Sequence, residues 1–263
     1  MKIAVVGGAN ADIVGVPSEK LIMYDSNPGA VRVVPGGVGR NIACSLRALG
    51  AEVELVTAFG GDVYAELIKK DCGEKGIGLS LSKTLPGRGS SVYLLVTDEK
   101  GEPQVAVNDM QIVDEISPEY LSGIIGEINA CDACVIDANL SRASLEYLAE
   151  NVSVPLYGDP VSTPKSVKLK GLLKKFRALK PNLMEYEALG RSRDCLMFVS
   201  LGAEGMLAVS DEEEIKVPTV RHEHFMANGA GDAATAAMVF ADLSGKDLKA
   251  TAQFAVAFAS GKR

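Results

Sequence analysis

Short apolar runs rich in β-branched residues alternate along this chain with longer segments in which apolar residues recur every three or four positions. Short runs bounded by turn residues are typical of buried strands, and the longer spacing is typical of helices with one buried face. Ile42, Leu46 and Leu49 share such a face, and Ser117 and Ser141 stand at positions typical of helix starts. The alternation predicts an α/β protein with a mostly parallel sheet covered by helices. The predicted strands span residues 3–7, 53–59, 133–137, 154–159 and 196–202.

Two stretches, about residues 13–35 and 86–110, break this rhythm. Strand-like pieces in them are joined by turn sequences such as SNPG, LPGRG and DEKGE. A few strands of this kind cannot bury both faces alone, so they pack over the main sheet or against a partner chain. We predict a single domain over residues 1–263, in which these stretches form a small β-strand lid over a substrate. An exposed lid is also a candidate surface for a homodimer.

The composition disfavours several functional classes. The chain has 27 Lys and Arg against 34 Asp and Glu, a net charge of −7, so it offers no basic field to a nucleic-acid polymer. It has no apolar run near the roughly 20 residues needed to span a membrane. Its start shows no cleavable signal pattern. We therefore expect a cytoplasmic protein without a membrane partner.

Cysteine and histidine chemistry is also disfavoured. The five cysteines are an odd number without a framework spacing, and they predict no disulfides. Cys131 and Cys134 form a C-x-x-C, but the sequence lacks the second pair of ligands that a structural zinc site requires. The two histidines, His222 and His224, lie in a polar run and are interpreted as solvated loop residues. A histidine-based catalytic triad is therefore not expected.

A glycine-rich segment from Pro35 to Asn41 precedes the first amphipathic helix. Gly36, Gly37 and Gly39 let backbone N–H groups approach a ligand closely, and the side chain of Asn41 offers both a donor and an acceptor, as sugar hydroxyls require. A plain loop-to-helix turn is the alternative. A dinucleotide-binding fingerprint is disfavoured, because it would follow the first strand directly rather than the predicted lid.

A second glycine-rich segment, Asn228 to Asp232, opens an alanine-rich helical pattern. Small residues at a helix start leave N–H groups facing outward, where the helix dipole favours an anion such as a phosphoryl group in transfer. Asp232, just inside the helix, is positioned to accept a proton from an attacking hydroxyl. The alternative is an Asp that only stabilises the helix N-terminus.

Taken in order along the chain, these two segments resemble the signature regions of the ribokinase-like (PfkB) carbohydrate kinases. Three further matches agree with that resemblance, which covers nearly the whole chain. It implies a ribokinase-like three-layer sandwich with a mostly parallel central sheet and a small β-strand lid. The further matches are Lys180-Pro181-Asn182-x-x-Glu185, similar to the N-x-x-E motif of the family, Ser200-x-Gly202-x-x-Gly205, similar to its nucleotide-binding strand end, and Asn10 with Asp12, similar to its sugar-binding position.

The resemblance also implies an ATP-dependent phosphotransferase with an alcohol group as acceptor, which uses ATP and Mg²⁺. Asp232 is the implied base, and Glu185 is the implied metal ligand, through water. Dependence on a monovalent cation, common in this family, is left open by the sequence. The implied phosphoryl cradle is the N–H groups of Gly229, Ala230 and Gly231, the implied ATP-binding residues are Asn182, Ser200, Gly202 and Gly205, and the implied substrate-binding residues are Asn10, Asp12, Gly36, Gly37 and Asn41.

Four local runs are most similar to the pseudouridine kinases of this family, and they imply transfer to the 5′-hydroxyl of free pseudouridine, giving pseudouridine 5′-phosphate. In the lid, Asn108 and Ser91 are candidate polar contacts to the base, with ordinary strand packing as the alternative. Kinases for ribose, another sugar or an ordinary nucleoside, and a noncatalytic ligand sensor of the same fold, are the alternatives. The runs are residues 25–29, 36–43, 108–110 and 159–162.

The sequence departs from the family pattern in three places. Residues 226–228 lack the Thr that the family carries before G-A-G-D, and Asn228 is the candidate substitute. The segment between Gly190 and Leu196 is short for the helix expected there, and the chain ends at Arg263, before the last helix of the family. We expect stretches near 190–191 and after 260 to be omitted from this sequence, because a missing helix would expose core residues such as Leu196 and Phe198. A protein that is itself abbreviated at these places is the alternative.

Overall fold

The computed structural model describes residues 1–219 and 229–261, and the candidate residues His222, His224 and 226–228 lie outside these ranges. The described strands are β1 (Lys2–Val6), β2 (Asn10–Pro17), β3 (Gly29–Gly36), β4 (Glu52–Val56), β5 (Ala58–Gly60), β6 (Lys83–Leu85), β7 (Val92–Thr97), β8 (Pro103–Asp109), β9 (Ala133–Asp137), β10 (Leu156–Asp159), β11 (Ala178–Leu179), β12 (Leu196–Ser200), β13 (Met206–Val209) and β14 (Glu214–Val217). The α-helices are α1 (Val38–Ala48), α2 (Val63–Glu74), α3 (Pro118–Ser122), α4 (Ile125–Asn129), α5 (Arg142–Asn151), α6 (Thr163–Ser166), α7 (Leu183–Ala188), α8 (Ala230–Leu243) and α9 (Leu248–Ala259).

Eight strands form the main sheet, in the order β14-β13-β12-β11-β10-β9-β1-β4. The six strands from β12 to β4 run parallel, whereas β13 and β14 are antiparallel to their neighbours. The predicted α/β fold with a mostly parallel sheet is thus confirmed. The predicted strand over residues 53–59 is two elements, β4 and β5, and β5 pairs with β6 in a separate two-stranded sheet.

Apolar side chains cover both faces of the main sheet, because successive residues of a strand point to opposite sides. Ile3 and Val5 of β1 pack in one buried cluster with α1, α2, α8 and α9, and Ala4 and Val6 pack in a second with α3, α5 and α7. The result is a three-layer sandwich. Ser117 and Ser141 are the N-caps of α3 and α5, so both predicted helix starts are confirmed.

A second sheet of four strands, in the order β3-β2-β7-β8, is formed by the two stretches that break the α/β alternation. Strands β2 and β7 are parallel, and the two outer pairs are antiparallel. We call these four strands the small sheet. Strand β2 begins at Asn10, directly after the loop that follows β1, so the small sheet is tied to the carboxyl end of the main sheet.

The short segment after α7 leads directly into β12. Phe198 in that strand is fully buried and Leu196 is partly buried. The exposure expected for these two residues in the absence of another helix is therefore not seen. Among the described residues, no helix has the length and apolar character needed to cross a membrane.

Candidate active site

The N-terminus of α8 stands between two cavities. Gly229 precedes the helix in the left-handed conformation, with φ of 81°, which a glycine adopts without strain. Helix geometry leaves the N–H groups of Ala230, Gly231 and Asp232 without acceptors inside the helix. Ala230 and Gly231 line one cavity and Asp232 lines the other. The chain therefore passes from one cavity to the other between two consecutive residues.

The cavity beside Ala230 and Gly231 has a volume of about 230 Å³. Ser200 at the end of β12, together with Gly202 and Gly205, lines its opposite part. Three of the four predicted ATP-binding residues thus meet the helix N-terminus, which is an arrangement suited to an anion. The fourth residue, Asn182, caps helix α7 instead: its side chain accepts from the N–H of Glu185 at 2.9 Å.

The cavity beside Asp232 has a volume of about 320 Å³ and brings together most of the predicted substrate-binding residues. An adjoining cavity of about 540 Å³ shares part of this wall and is lined by Val14 and Leu95 of the small sheet and by Cys44 of α1. We call the cavity of about 320 Å³ beside Asp232 the acceptor cavity. The predicted residues that line the acceptor cavity are Asn10, Asp12, Gly37, Asn41, Asn108 and Asp232.

Asp232 is held toward the acceptor cavity by Asn41, whose Nδ2 donates to Oδ2 of Asp232 at 2.8 Å. Burial raises the pKa of Asp232 from 3.8 to about 7, and the carboxylate of Asp159 adds to the rise. The hydrogen bond from Asn41 and the ammonium group of Lys180 oppose it. A carboxylate with a pKa near neutrality, on the wall of a cavity, has the properties of a general base.

Lys180 lies in a buried polar cluster below α8. Its Nζ is 3.4 Å from Oδ2 of Asp159, which also accepts from Oγ1 of Thr235 at 2.6 Å. Burial lowers the pKa of Lys180, but the carboxylates of Asp159, Asp232 and Glu185 outweigh burial and raise it above its ordinary value. A Cβ on Gly231 would lie 3.2 Å from this Nζ. A fixed positive charge therefore lies beside both Asp232 and the helix N-terminus.

Asp12 and two glycines shape the opposite wall. Nδ2 of Asn10 donates to Oδ1 of Asp12 at 2.5 Å, and the Asp12 carboxylate lies against Gly36, where a Cβ would come within 2.3 Å of it. Burial raises the pKa of Asp12, while the bond from Asn10 opposes the rise. Gly36 thus acts by leaving room for Asp12 and lies behind the cavity wall. Gly37, with φ of 98°, turns the chain into α1.

Glu185, the predicted metal ligand, is only 3 % exposed. Its Oε2 accepts from the backbone N–H of Asn182 at 2.8 Å and its Oε1 from Nδ2 of the same residue at 2.9 Å. Each carboxylate oxygen keeps a second lone pair. The donor set therefore fits Mg²⁺ held through a water molecule, since oxygen ligands and retained waters are what this ion prefers.

Several residues on the cavity walls had no predicted role. Asn139 follows β9 and Lys165 lies in α6, and Nζ of Lys165 donates to Oδ1 of Asn139 at 2.6 Å on the wall of the acceptor cavity. The signal that could have found Asn139 is its position after a parallel strand, the edge of the sheet at which α/β proteins bind ligands. Ser91 is buried, 1 % exposed, and lines none of the three cavities described above, as the described residues define them. It is therefore not placed to touch a ligand there.

Comparison with known proteins is consistent with this geometry. The model of the pfkB family carbohydrate kinases matches residues 1–262, and the chain belongs to this family. It is 33% identical over 246 residues to the pseudouridine kinase of Escherichia coli (strain K12), which covers 93% of this chain and 74% of that protein. A carbohydrate kinase from Agrobacterium tumefaciens has the same fold, with a TM-score of 0.89 at 29% identity over 98% of this chain and 89% of the other.

An Arabidopsis thaliana ribokinase complexed with ribose and ATP also has this fold, with a TM-score of 0.83 at 20% identity over 98% of this chain and 91% of the other. The predicted ribokinase-like fold and family membership are thereby confirmed. Membership makes the protein a phosphotransferase with an alcohol group as acceptor.

Proposed function

We propose that this protein transfers the γ-phosphoryl group of ATP to the 5′-hydroxyl of pseudouridine. The observation that carries the proposal is the position of the α8 N-terminus, where Gly231 lines one cavity and Asp232 the next. Phosphoryl transfer needs the donor and the acceptor on opposite sides of one anion site, because catalysis here is mainly positioning and charge stabilisation. The 33% sequence identity with the pseudouridine kinase of Escherichia coli supports the choice of pseudouridine as acceptor.

In this mechanism Asp232 takes the proton of the 5′-hydroxyl as its oxygen attacks the γ-phosphorus. The new bond joins the 5′-oxygen to the γ-phosphorus. The bond from that phosphorus to the oxygen bridging to the β-phosphate breaks, and its electron pair leaves with ADP. The N–H groups of Gly229, Ala230 and Gly231 stabilise the charge on the transferred group. Lys180 adds a positive charge beside the same helix turn.

Glu185 and Asn182 would hold Mg²⁺ through water, and the ion, when bound, would neutralise part of the charge of the ATP phosphates. On the acceptor side, Asp12, Asn10, Gly37 and Asn41 would hold the ribose hydroxyls, for which their mixed donors and acceptors are suited. Asn108 of the small sheet lines the same cavity and is the candidate contact to the base. The small sheet would then act as a lid over the nucleoside.

A substrate panel tests the proposed function. We expect ADP release from Mg·ATP with pseudouridine, and a kcat/KM at least about 100-fold lower with uridine, ribose and fructose, because a site built to bind a polar ring N–H rejects an analogue that lacks it. Turnover confined to another acceptor would keep the kinase mechanism and discard pseudouridine. Absence of turnover with every acceptor, in a folded protein that binds ATP, would favour a ligand sensor.

We also propose that the outer face of the small sheet pairs with a second copy of the chain. Alternate residues of a strand share a face, and one row across the four strands is Val33, Ile13, Leu94 and Val107. Val107 is 58% exposed, and Val31 in the neighbouring row is 73% exposed. An apolar face of this extent marks a protein interface. A second copy fits it, because the same apolar rows meet in a two-fold arrangement.

The change Val33→Lys tests this interface. The wild-type protein should have twice the chain mass in sedimentation equilibrium, and the variant should dimerise at least about tenfold more weakly, since a buried ammonium in an apolar contact lacks a partner. Val63→Lys is the matched control, because Val63 is equally a surface valine, 75% exposed, at the start of α2. A wild-type protein that is monomeric at micromolar concentration would exclude the dimer.

A further inference from the structure

A chain of polar contacts runs from α2 through α1 to Asp232. The guanidinium of Arg40 contacts Asp71 of α2 through Nε, at 3.1 Å, and through Nη2, and Lys75 also contacts Asp71. The Nη1 atom of Arg40 donates to the side-chain oxygen of Asn41 at 2.9 Å. Nδ2 of Asn41 in turn donates to Asp232 at 2.8 Å. The base is therefore linked to a buried arginine, 8% exposed, through a single amide.

This chain fixes which way the amide of Asn41 faces. A guanidinium has only donors and a carboxylate has only acceptors. With the amide as observed, its oxygen meets Arg40 and its NH₂ group meets Asp232. If the amide were reversed, two donors would face each other on one side and two acceptors on the other, which loses both hydrogen bonds and leaves buried polar groups unpaired. Without Arg40, only the hydrogen bond to Asp232 would orient the amide.

We propose that Arg40 is a positioning residue for phosphoryl transfer: by holding the oxygen of Asn41, it keeps the NH₂ group of that residue on the catalytic carboxylate. The inference rests on the proposed function, because it assigns a role within that reaction. Arg40 does not line the acceptor cavity as the described residues define it, so its action passes through Asn41. Its own position is set by the contact with Asp71, which involves two nitrogens and so restricts rotation of the guanidinium.

The consequence concerns the protonation of Asp232. Among the charged groups around this carboxylate, Asp159 and Asp137 favour its protonated form and Lys180 favours its ionised form. Asp12 and Lys165 lie on the same cavity wall. The hydrogen bond from Asn41 is the contact that Arg40 controls, and it favours the ionised form. Removal of the contact from Arg40 to Asn41 should therefore raise the pKa of Asp232. As the pH falls, the carboxylate would then become protonated, and inactive as a base, at a higher pH.

The first test is the pH dependence of kcat/KM with pseudouridine for Arg40→Met, which keeps much of the apolar stem and removes the donors. The acid limb of the wild-type profile is expected near pH 7, since the ionised base is the active form and activity falls as pH falls through its pKa. In the variant, this limb should move to a pH about one unit higher. The ratio of variant to wild-type kcat/KM should therefore be about tenfold lower at pH 6 than at pH 9.

Two variants serve as controls. Arg47→Met makes the same change on the same helix, at a residue whose side chain bonds to the backbone oxygens of Ala51 and Lys75, and its profile should match the wild type. Arg40→Lys keeps the charge and an ammonium group that can donate to Asn41, but it loses the forked guanidinium, and it should recover part of the shift. A profile that moves equally in Arg47→Met, or that does not move in a folded Arg40→Met protein, would overturn the inference.

The second test does not need turnover. The titration of Asp232 is followed by ¹³C NMR of aspartate-labelled protein, with its resonance assigned by loss in Asp232→Asn. Arg40→Met should raise the midpoint by about one pH unit in the wild-type background and should have no further effect in an Asn41→Ala background, because the link is already absent. An equal effect in both backgrounds would show that Arg40 acts by another route.

These tests separate the inference from the proposed function. A wild-type protein that phosphorylates no acceptor contradicts the proposed function, while the NMR titration still decides whether Arg40 acts on Asp232. If Arg40→Met does not fold, the orientation is determined on the wild type by neutron diffraction, which distinguishes NH₂ from oxygen. An Asn41 oxygen directed at Asp232 would overturn the inference.

Discussion

Replacing Asp232 by Asn should reduce kcat at least about 100-fold, because general-base catalysis typically contributes a factor of about 10² to 10⁴. The side chains have the same shape, and the Asn oxygen can still accept from Asn41, so nucleoside binding should be nearly unchanged. The measurements are ADP release for turnover and calorimetric titration for binding. A variant that keeps more than about a tenth of the wild-type rate would exclude Asp232 as the base.

The same change should also raise the free energy of unfolding. The sign of this change separates a general base at Asp232 from an Asp that only stabilises the helix N-terminus. Burial raises the pKa of this carboxyl from 3.8 to about 7, so its ionised form destabilises the folded state. The stability that the protonated form confers is fully present below pH 3.8 and is lost as pH rises through about 7. A pKa rise of this size corresponds to about 4 kcal/mol. Because Asp232 is partly exposed, we expect Asp232→Asn to gain only about 1–3 kcal/mol in free energy of unfolding at pH 8. An Asp that only stabilised the helix would instead lose stability on replacement.

Asp62→Asn is the matched control for this experiment. Burial alone would raise the pKa of Asp62, but hydrogen bonds from Ser90 and from the N–H of Ala65 at the start of α2 outweigh burial and lower the pKa. Its ionised form therefore stabilises the folded state above pH 3.8, and that stability is lost as pH falls below this value. Urea unfolding at pH 8 should give a loss for Asp62→Asn and a gain for Asp232→Asn, and the gain should shrink at pH 5.

The sheet and the helix starts followed from the sequence because they depend on local patterns. Ile42 and Leu46 repeat at helical spacing, and Ser141 caps a helix whatever the rest of the chain does. The family resemblance implied a mostly parallel central sheet, but the order in which its strands pair is given only by the structure. No local pattern reports a contact across 191 residues, such as the bond from Asn41 to Asp232.

Burial explains the site residues that the sequence did not resolve. Lys180 was part of a recognised motif, but its role as a buried charge near Asp159 depends on how deeply the loop after β11 lies below α8. Asn182 and Glu185 form a capping box, which the spacing N-x-x-E permits equally well as a metal site. Ser91 was a candidate because it is polar and lies in the lid, yet the packing of the small sheet buries it.

The change Gly37→Ala should be among the most destabilising in the chain. Gly37 has φ of 98° and ψ of 136°, a conformation that side chains rarely adopt. A Cβ there would lie 2.6 Å from the Cα of Ala9 and 2.6 Å from the carbonyl oxygen of Gly8, and both are backbone atoms that cannot rotate away. Strain and overlap together should lower the free energy of unfolding by about 3–5 kcal/mol. Displacement of the neighbouring Asn10 should also raise KM for the nucleoside.

Gly50→Ala isolates the overlap from the strain. Gly50 ends the turn after α1 with φ of 93°, and a Cβ there would meet nothing within 4 Å. We expect this variant to lose only about 1 kcal/mol, from backbone strain alone, and to keep the wild-type KM. Urea unfolding of the two variants at one pH gives the difference. Equal losses at Gly37 and Gly50 would mean that the loop carrying Asn10 moves freely to admit the methyl group. In that case, the close contact of Gly37 with Gly8 and Ala9 would not fix the wall of the acceptor cavity.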